Sequence, residues 1–308
     1  MEASSTVNSH AGRRPTVSVV VPSLNEERNL PYVFSRMPAV DQVVLVDGGS
    51  SDRTVERARE LMPSIEVVHQ TRKGKGNALV CGFTACTSDI IVMIDADGST
   101  DPAEIPLFVR ALTDGADFAK GSRFAHGGYS EDITRIRRVG NAGLNFAVNR
   151  LFGTKFSDLC YGYNAFWRWV VPYLNLPDQL AAAPSNGEMM WGDGFEIETL
   201  INVRAAGLEL KVTEVASVEA ARLHGVSNLN AIRDGKRVSR TIVREWRRKR
   251  AIVAGYPVVV SRPVVFDAPS TVETSSTIET SLTVETSLTI ETSPTIEAAS
   301  TVAVSGES

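Results

Sequence analysis

The sequence predicts an α/β fold in which a doubly wound, mostly parallel sheet carries helices on both faces. Three observations predict it. Short β-branched runs recur along the first third of the chain, stretches with helix-cap residues separate them, and polar clusters follow directly on several of the runs. The 308 residues are 43% hydrophobic and 22% charged, which excludes a chain disordered throughout and a fibrous repeat.

Taken in order, TVSVVV (16–21) leads into Pro22-Ser23-Leu24-Asn25-Glu26-Glu27, and QVVLV (42–46) into Asp47-Gly48-Gly49-Ser50-Ser51-Asp52. Ser51 to Thr54 supplies cap residues for a helix over 55–62. IEVV (65–68) precedes Arg72-Lys73-Gly74-Lys75-Gly76-Asn77, and a helix follows Gly76 as far as Ala85. IIVMI (90–94) runs into Asp95-Ala96-Asp97-Gly98-Ser99. Carboxyl ends of parallel strands share one edge, so these polar clusters converge there. Further on, 117–123 reads as a strand with a cationic turn and 140–151 as a helix. In 233–250, Val238, Ile242 and Trp246 form one apolar stripe on an otherwise cationic helix.

Both ends of the chain differ from this middle. Residues 1–14 have no apolar run and read as a disordered N-terminus without a secretory signal. From Thr271 the pattern Thr-(Val/Ile)-Glu-Thr-Ser-x recurs every six residues, a period that suits neither helix nor heptad. The segment 251–308 therefore reads as a linker and a disordered, acidic low-complexity tail. Seven acidic residues and no cation follow Arg262, so the preceding 262 residues carry +3 although the whole chain carries −4. No uncharged run approaches the roughly 20 residues needed to span a bilayer. Three cysteines, Cys81, Cys86 and Cys160, argue against a disulfide framework and for a cytoplasmic location.

At the shared edge, Asp95 and Asp97 can turn both carboxylates to one side and offer hard oxygen donors to Mg²⁺ or Mn²⁺. Glycines and cations at 72–76 open a helix, an arrangement that favours phosphate. As an ordered set, VSVVVPSLNEE, VVLVDGGSSDRT, RKGKGNAL, IIVMIDADGSTDP and AKGSRF resemble the family 2 glycosyltransferases of GT-A fold, in the branch of polyprenyl-phosphate (dolichyl-phosphate) sugar synthases. The resemblance runs from Pro15 to Thr241, and DADGSTDP departs from the more usual DADLxxxP. It implies one domain over 15–250, with a Rossmann-like donor half to about 125 and an acceptor half from about 126. It further implies a nucleoside-diphosphate sugar as donor, inversion at the anomeric carbon and a divalent metal. Pro22, Asn25 and Glu26 would line the nucleotide pocket, Asp47 would bind the base and Lys75 would lie near the diphosphate. Asp95, Ala96 and Asp97 would form the DxD element for metal and donor.

The resemblance also places Arg123, Asp158 and Glu196 around the reacting centre. A sugar-hydroxyl acceptor needs a carboxylate to take its proton, for which Asp158 comes first and Glu196 second. A polyprenyl phosphate needs no base and instead requires cations, for which Arg123, Arg138 and Arg222 are candidates, with Ser227 beside them in RLHGVSN. Glu198 reads as a helix-surface residue. The basic helix reads first as core-packed with a solvated face, and second as a peripheral contact to the inner face of a membrane; no nucleic-acid partner is expected. Two other classes compete. IIVMIDADGS also matches the strand end of haloacid-dehalogenase-type phosphohydrolases, with Lys120 and Asp193 as later motifs, and a non-catalytic sugar-nucleotide binder would need the same pocket.

Overall fold

The computed structural model describes residues 13–186, 188–226 and 229–253. Ser227 and the repeat tail lie outside them, as do residues 1–12. The chain opens with β1 (Val17–Ser23), α1 (Leu30–Ser35), β2 (Gln42–Asp47), α2 (Thr54–Leu61), β3 (Glu66–His69), α3 (Lys75–Ala85) and β4 (Ile90–Met93). A 3₁₀ turn (Pro102–Glu104) leads into α4 (Ile105–Thr113), β5 (Phe118–Ser122), β6 (Tyr129–Ser130) and α5 (Arg135–Phe152). There follow β7 (Asn164–Trp167), α6 (Val170–Leu174), α7 (Glu196–Gly207), β8 (Val212–Ala216), β9 (Val218–Glu219) and α8 (Ala231–Val253).

Seven strands form one sheet in the order β3-β2-β1-β4-β7-β5-β8. Only β7 runs antiparallel to its neighbours, so the expected doubly wound, mostly parallel GT-A architecture is present. β6 and β9 pair in a small parallel ribbon. The chain winds outward from β1 to β3 and then returns to the other side of β1 for β4. That reversal opens a crevice at the carboxyl ends of β1 and β4, where ligands bind in open α/β sheets.

Burial explains why these residues form these elements. Val17, Val19, Val20 and Val21 of β1 are all buried, as a strand covered on both faces requires. Helix α3 is buried from Gly76 to Phe83. At Gly82 a Cβ would come within 2.3 Å of Val20 Cγ1, so the bare backbone lets α3 approach β1. In the other half, the Phe166 ring lies 5.4 Å from those of both Phe83 and Phe118. A second cluster of Val148, Phe152, Leu159, Val203, Val238 and Ile242 joins α5, α7 and α8.

Helix α5 starts five residues before the expected position because the Thr134 hydroxyl caps it, accepting from Arg137 N–H at 3.3 Å. No helix among the described residues is long and apolar enough to cross a membrane.

Candidate active site

Asp95 and Asp97 leave β4 beside the end of β1, with the intervening Ala96 buried. Asp97 Oδ1 accepts from Ser99 N–H at 2.9 Å and from its hydroxyl at 2.6 Å, which fixes the turn. Its Oδ2 lies 2.6 Å from Arg222 Nη2, and Arg222 Nη1 lies 3.3 Å from Glu26 Oε1. Lys75 Nζ lies 2.6 Å from Asp95 Oδ1 and also 2.6 Å from Glu198 Oε1. Each cation therefore bridges two carboxylates.

Four carboxylates against two cations leave the site with excess negative charge. Burial raises the Glu198 carboxyl, and although Lys75 opposes this, the net shift stays upward. Glu26 is likewise raised, by burial first, with Asn29 and Arg222 opposing. Lys75 is held above its ordinary value: burial lowers it, but Asp95 and Glu198 outweigh burial. Among the described residues, no three Asp, Glu, His or Cys side chains come together to hold an ion by themselves. Asp95 and Asp97 still offer two hard oxygen donors, a number that suffices for Mg²⁺ when phosphate and water fill the remaining positions. The donor type and the charge excess fit a divalent cation that arrives with an anionic substrate.

The first two loops make the neighbouring wall. Ser23 pairs with Asp47 and Pro22 with Val46 across β1 and β2. Asn25 adopts φ 57°, and its Oδ1 accepts from Ser51 N–H at 2.7 Å, tying the two loops together. Asp47 accepts from Gly49 and Ser50 N–H, each at 3.1 Å. Burial would raise its carboxyl, but these bonds and His69 hold it below the ordinary range. Pro22, Asn25, Glu26 and Asp47 thus share one edge with Lys75, Asp95 and Asp97.

The glycines at 74 and 76 answer a packing need. Gly76 N–H donates to Asp193 O at 2.7 Å, and a Cβ at Gly76 would sit 1.9 Å from Gly192 O. That backbone donor is already used, so it is the Lys75 side chain that faces the site. Arg72, read from the sequence as one of the cations favouring phosphate, is instead buried: it holds Asp193 through two 2.8 Å bonds and donates to the carbonyls of Asp178, Gln179 and Ala181. Gly98 explains the departure from DADLxxxP. It has φ 78°, and a Cβ there would meet Leu223 Cδ1 at 2.6 Å, so glycine lets the 219–224 segment cross the turn. Backbone bonds from Ala220 N to Ser99 O (2.9 Å) and from Leu223 N to Asp97 O (3.3 Å) hold that segment in place.

On the acceptor side, Arg123 and Asp158 meet in a buried pair, with Nε and Nη2 at 2.7 and 2.9 Å from the carboxylate. Arg123 Nη1 also donates to both Glu219 oxygens at 3.0 Å, and Asn141 Nδ2 adds a bond to Asp158 at 3.0 Å. Burial would raise the Asp158 carboxyl; Arg123, with Lys120 nearby, holds it below the ordinary range instead. Glu196 is 1% exposed and lies 3.0 Å from Arg237 through each oxygen, while accepting from Gly192 N–H at 2.9 Å. Arg138 is exposed on the first turn of α5, over the Phe124 ring at 5.7 Å.

Glu198 is the residue that the sequence reading missed. It is buried beside Lys75 rather than on a helix surface, because α7 is covered on every side from 196 to 205. Glu219 was missed as well. The phosphohydrolase reading is not favoured: the cation at Asp95 is Lys75, whereas Lys120 is buried with its Nζ donating to Gly121 O at 3.1 Å and Asp193 is locked by Arg72.

Comparison with known proteins gives the family. The model of "Glycosyl transferase family 2" matches residues 18–171, half of the chain. A "Dolichol-phosphate mannosyltransferase" of Pyrococcus furiosus is 32% identical over 221 residues, covering 69% of this chain and 59% of that protein. A "Polyprenol monophosphomannose synthase" of Mycolicibacterium smegmatis is 32% identical over 231 residues, covering 70% of this chain and 83% of the relative. Among solved structures, glucosyl-3-phosphoglycerate synthase of Mycobacterium tuberculosis, crystallised with Mn²⁺, UDP-glucose and phosphoglyceric acid, superposes with a TM-score of 0.58. It is 23% identical, covers 81% of this chain and 82% of its own, and shares the fold. On the family match and the two relatives, the chain belongs to glycosyl transferase family 2.

Proposed function

We propose that this glycosyltransferase moves a sugar from a nucleoside-diphosphate sugar to polyprenyl phosphate, with inversion and with a divalent cation at Asp95 and Asp97. One observation carries the choice of acceptor. Both carboxylates considered as bases, Asp158 and Glu196, are spent in buried ion pairs with Arg123 and Arg237. A phosphate oxygen is already anionic and needs neither. It attacks the anomeric carbon as the bond to the nucleoside diphosphate breaks, and the bonding electrons leave with the diphosphate.

The roles follow from position. Pro22, Asn25, Glu26 and Asp47 surround the nucleoside, and Lys75 and Arg222 turn from their carboxylates to the diphosphate as its charge grows. Glu198 keeps the Lys75 ammonium at the strand end. When bound, the metal supplies further positive charge to the leaving group. Arg123 and Asp158 order the floor beneath the 219–224 segment, and exposed Arg138 meets the acceptor phosphate. The two polyprenyl-phosphate relatives support the same acceptor class. A hydroxyl acceptor is the second reading, favoured only by Glu198, whose raised pKa at the site suits proton uptake.

The donor half of the proposal is tested by melting. With Mn²⁺, a UDP- or GDP-sugar at about a hundred times its Kd should stabilise the protein by about 2.7 kcal/mol, a shift of roughly 5–10 °C. No shift with any sugar nucleotide would contradict it.

A further inference from the structure

Helix α5 buries apolar side chains only in its second half, at Val148 and Phe152. Its inward face carries Asn141 and Asn145, which bind the 157–160 loop through Asp158 Oδ1 at 3.0 Å and Ser157 O at 2.6 Å. Its outward face carries Ile136, Val139 and Phe146, which are 76%, 73% and 74% exposed. Such a spacing of three and seven residues places them in one stripe. Gly140 and Gly143 lie between them with nothing within 4 Å of a Cβ, so no neighbouring side chain crosses the stripe there. Arg135, Arg138 and Arg150 are exposed along the same helix.

The helix packed against the buried face of α5 is cationic as well. α8 packs on α5 through Val148, Phe152, Val238 and Ile242, and Lys249 Nζ reaches Phe152 O at 3.3 Å. It exposes Arg233, Lys236, Arg240, Arg244, Arg247 and Arg250. Its two acids, Asp234 and Glu245, are buried, so the exposed face of α8 carries cations and no carboxylate. Apolar side chains framed by arginine match the headgroup layer of an anionic bilayer, where the apolar atoms sink below the phosphates and the guanidinium groups bind them. A second protein copy fits less well. From Ile136 to Phe146 the stripe spans about 15 Å, and three side chains fall short of the roughly 800 Å² per partner that a stable interface buries.

We propose that the outward face of α5 is a membrane-docking surface, with Ile136, Val139 and Phe146 seated among anionic phospholipid headgroups and α8 adding electrostatic attraction. This adds a place of action to the lipid-acceptor reading without depending on it, because the lipids used to test it contain no polyprenyl phosphate. The test is co-sedimentation of the full chain with phosphatidylcholine vesicles, with and without phosphatidylglycerol, at low and high salt. The wild type is expected to sediment with the phosphatidylglycerol vesicles at low salt and to be released by high salt. The double substitution Ile136→Ser and Phe146→Ser should weaken binding at least ~10-fold, with the melting temperature and the sugar-nucleotide shift unchanged. Wild-type protein left in the supernatant, or a double variant that binds equally well, would overturn the proposal. A wild-type dimer in light scattering that the double variant abolishes would assign the stripe to a second copy instead.

Discussion

Asp97→Ala is expected to lower kcat/KM for sugar transfer by about 10²–10³-fold, the loss seen when one preorganised group is removed from developing charge, equivalent to about 2.7–4 kcal/mol. Asp97 contributes three things to the crevice. Its Oδ1 fixes the turn through Ser99 and its Oδ2 holds Arg222, and in the proposed function it shares with Asp95 the two hard donors for a divalent ion. Alanine removes all three. Stability should change little, because the site carries more carboxylates than cations and loses one of the excess charges. Unchanged melting together with lost donor-induced stabilisation would separate a chemical role from a structural one. Transfer at the wild-type rate would show that the reaction centre lies elsewhere.

Arg123→Ala is expected to be the most destabilising single change in the acceptor half. It leaves Asp158, which is fully buried, and Glu219 without their shared cation. Breaking a buried ion pair by removing one partner costs about 3–5 kcal/mol, or roughly 6–20 °C in melting temperature for a domain of this size. The pH dependence has a definite sign. In the wild type the Asp158 carboxyl is held below its ordinary 3.8, so its contribution is present above that value and is lost as pH falls through the lower folded value. In the variant Lys120 and Asn141 remain but the strongest partner opposing burial is gone, so the carboxyl rises relative to wild type, and protonation then relieves the unpaired charge. The gap between variant and wild type should therefore narrow as pH falls toward about 4. A melting curve indistinguishable from wild type at neutral pH would contradict this description of the pair.

The donor half was legible because its signals are local. Each strand is a β-branched run, and the residues that reach the crevice end their strand or follow it within a few positions, as Asp47 ends β2 and Asp95 follows β4. The acceptor half was less so, because its decisive contacts join distant segments. Arg123 meets Asp158 and Glu219 across separations of 35 and 96 residues, and Lys75 meets Glu198 across 123. In α7, Glu196 and Glu198 are two residues apart, yet one closes on Arg237 and the other on Lys75, since the helix is buried all round. No helical periodicity distinguishes them. The outward stripe of α5 has no counterpart in the sequence reading, which gives 140–151 only as a helix; Asn141 and Asn145 take buried positions that apolar residues would otherwise mark.

The central claim is sugar transfer from a nucleoside diphosphate to an anionic lipid acceptor. Mass spectrometry of reactions containing Mn²⁺, a panel of UDP- and GDP-sugars, and either polyprenyl phosphate or soluble sugar acceptors tests it directly. The predicted result is a polyprenyl-phosphate adduct heavier by one sugar residue, with release of the nucleoside diphosphate and loss of both products in Asp97→Ala. Glycosylated soluble acceptor with untouched polyprenyl phosphate, or no transfer from any donor, would contradict it.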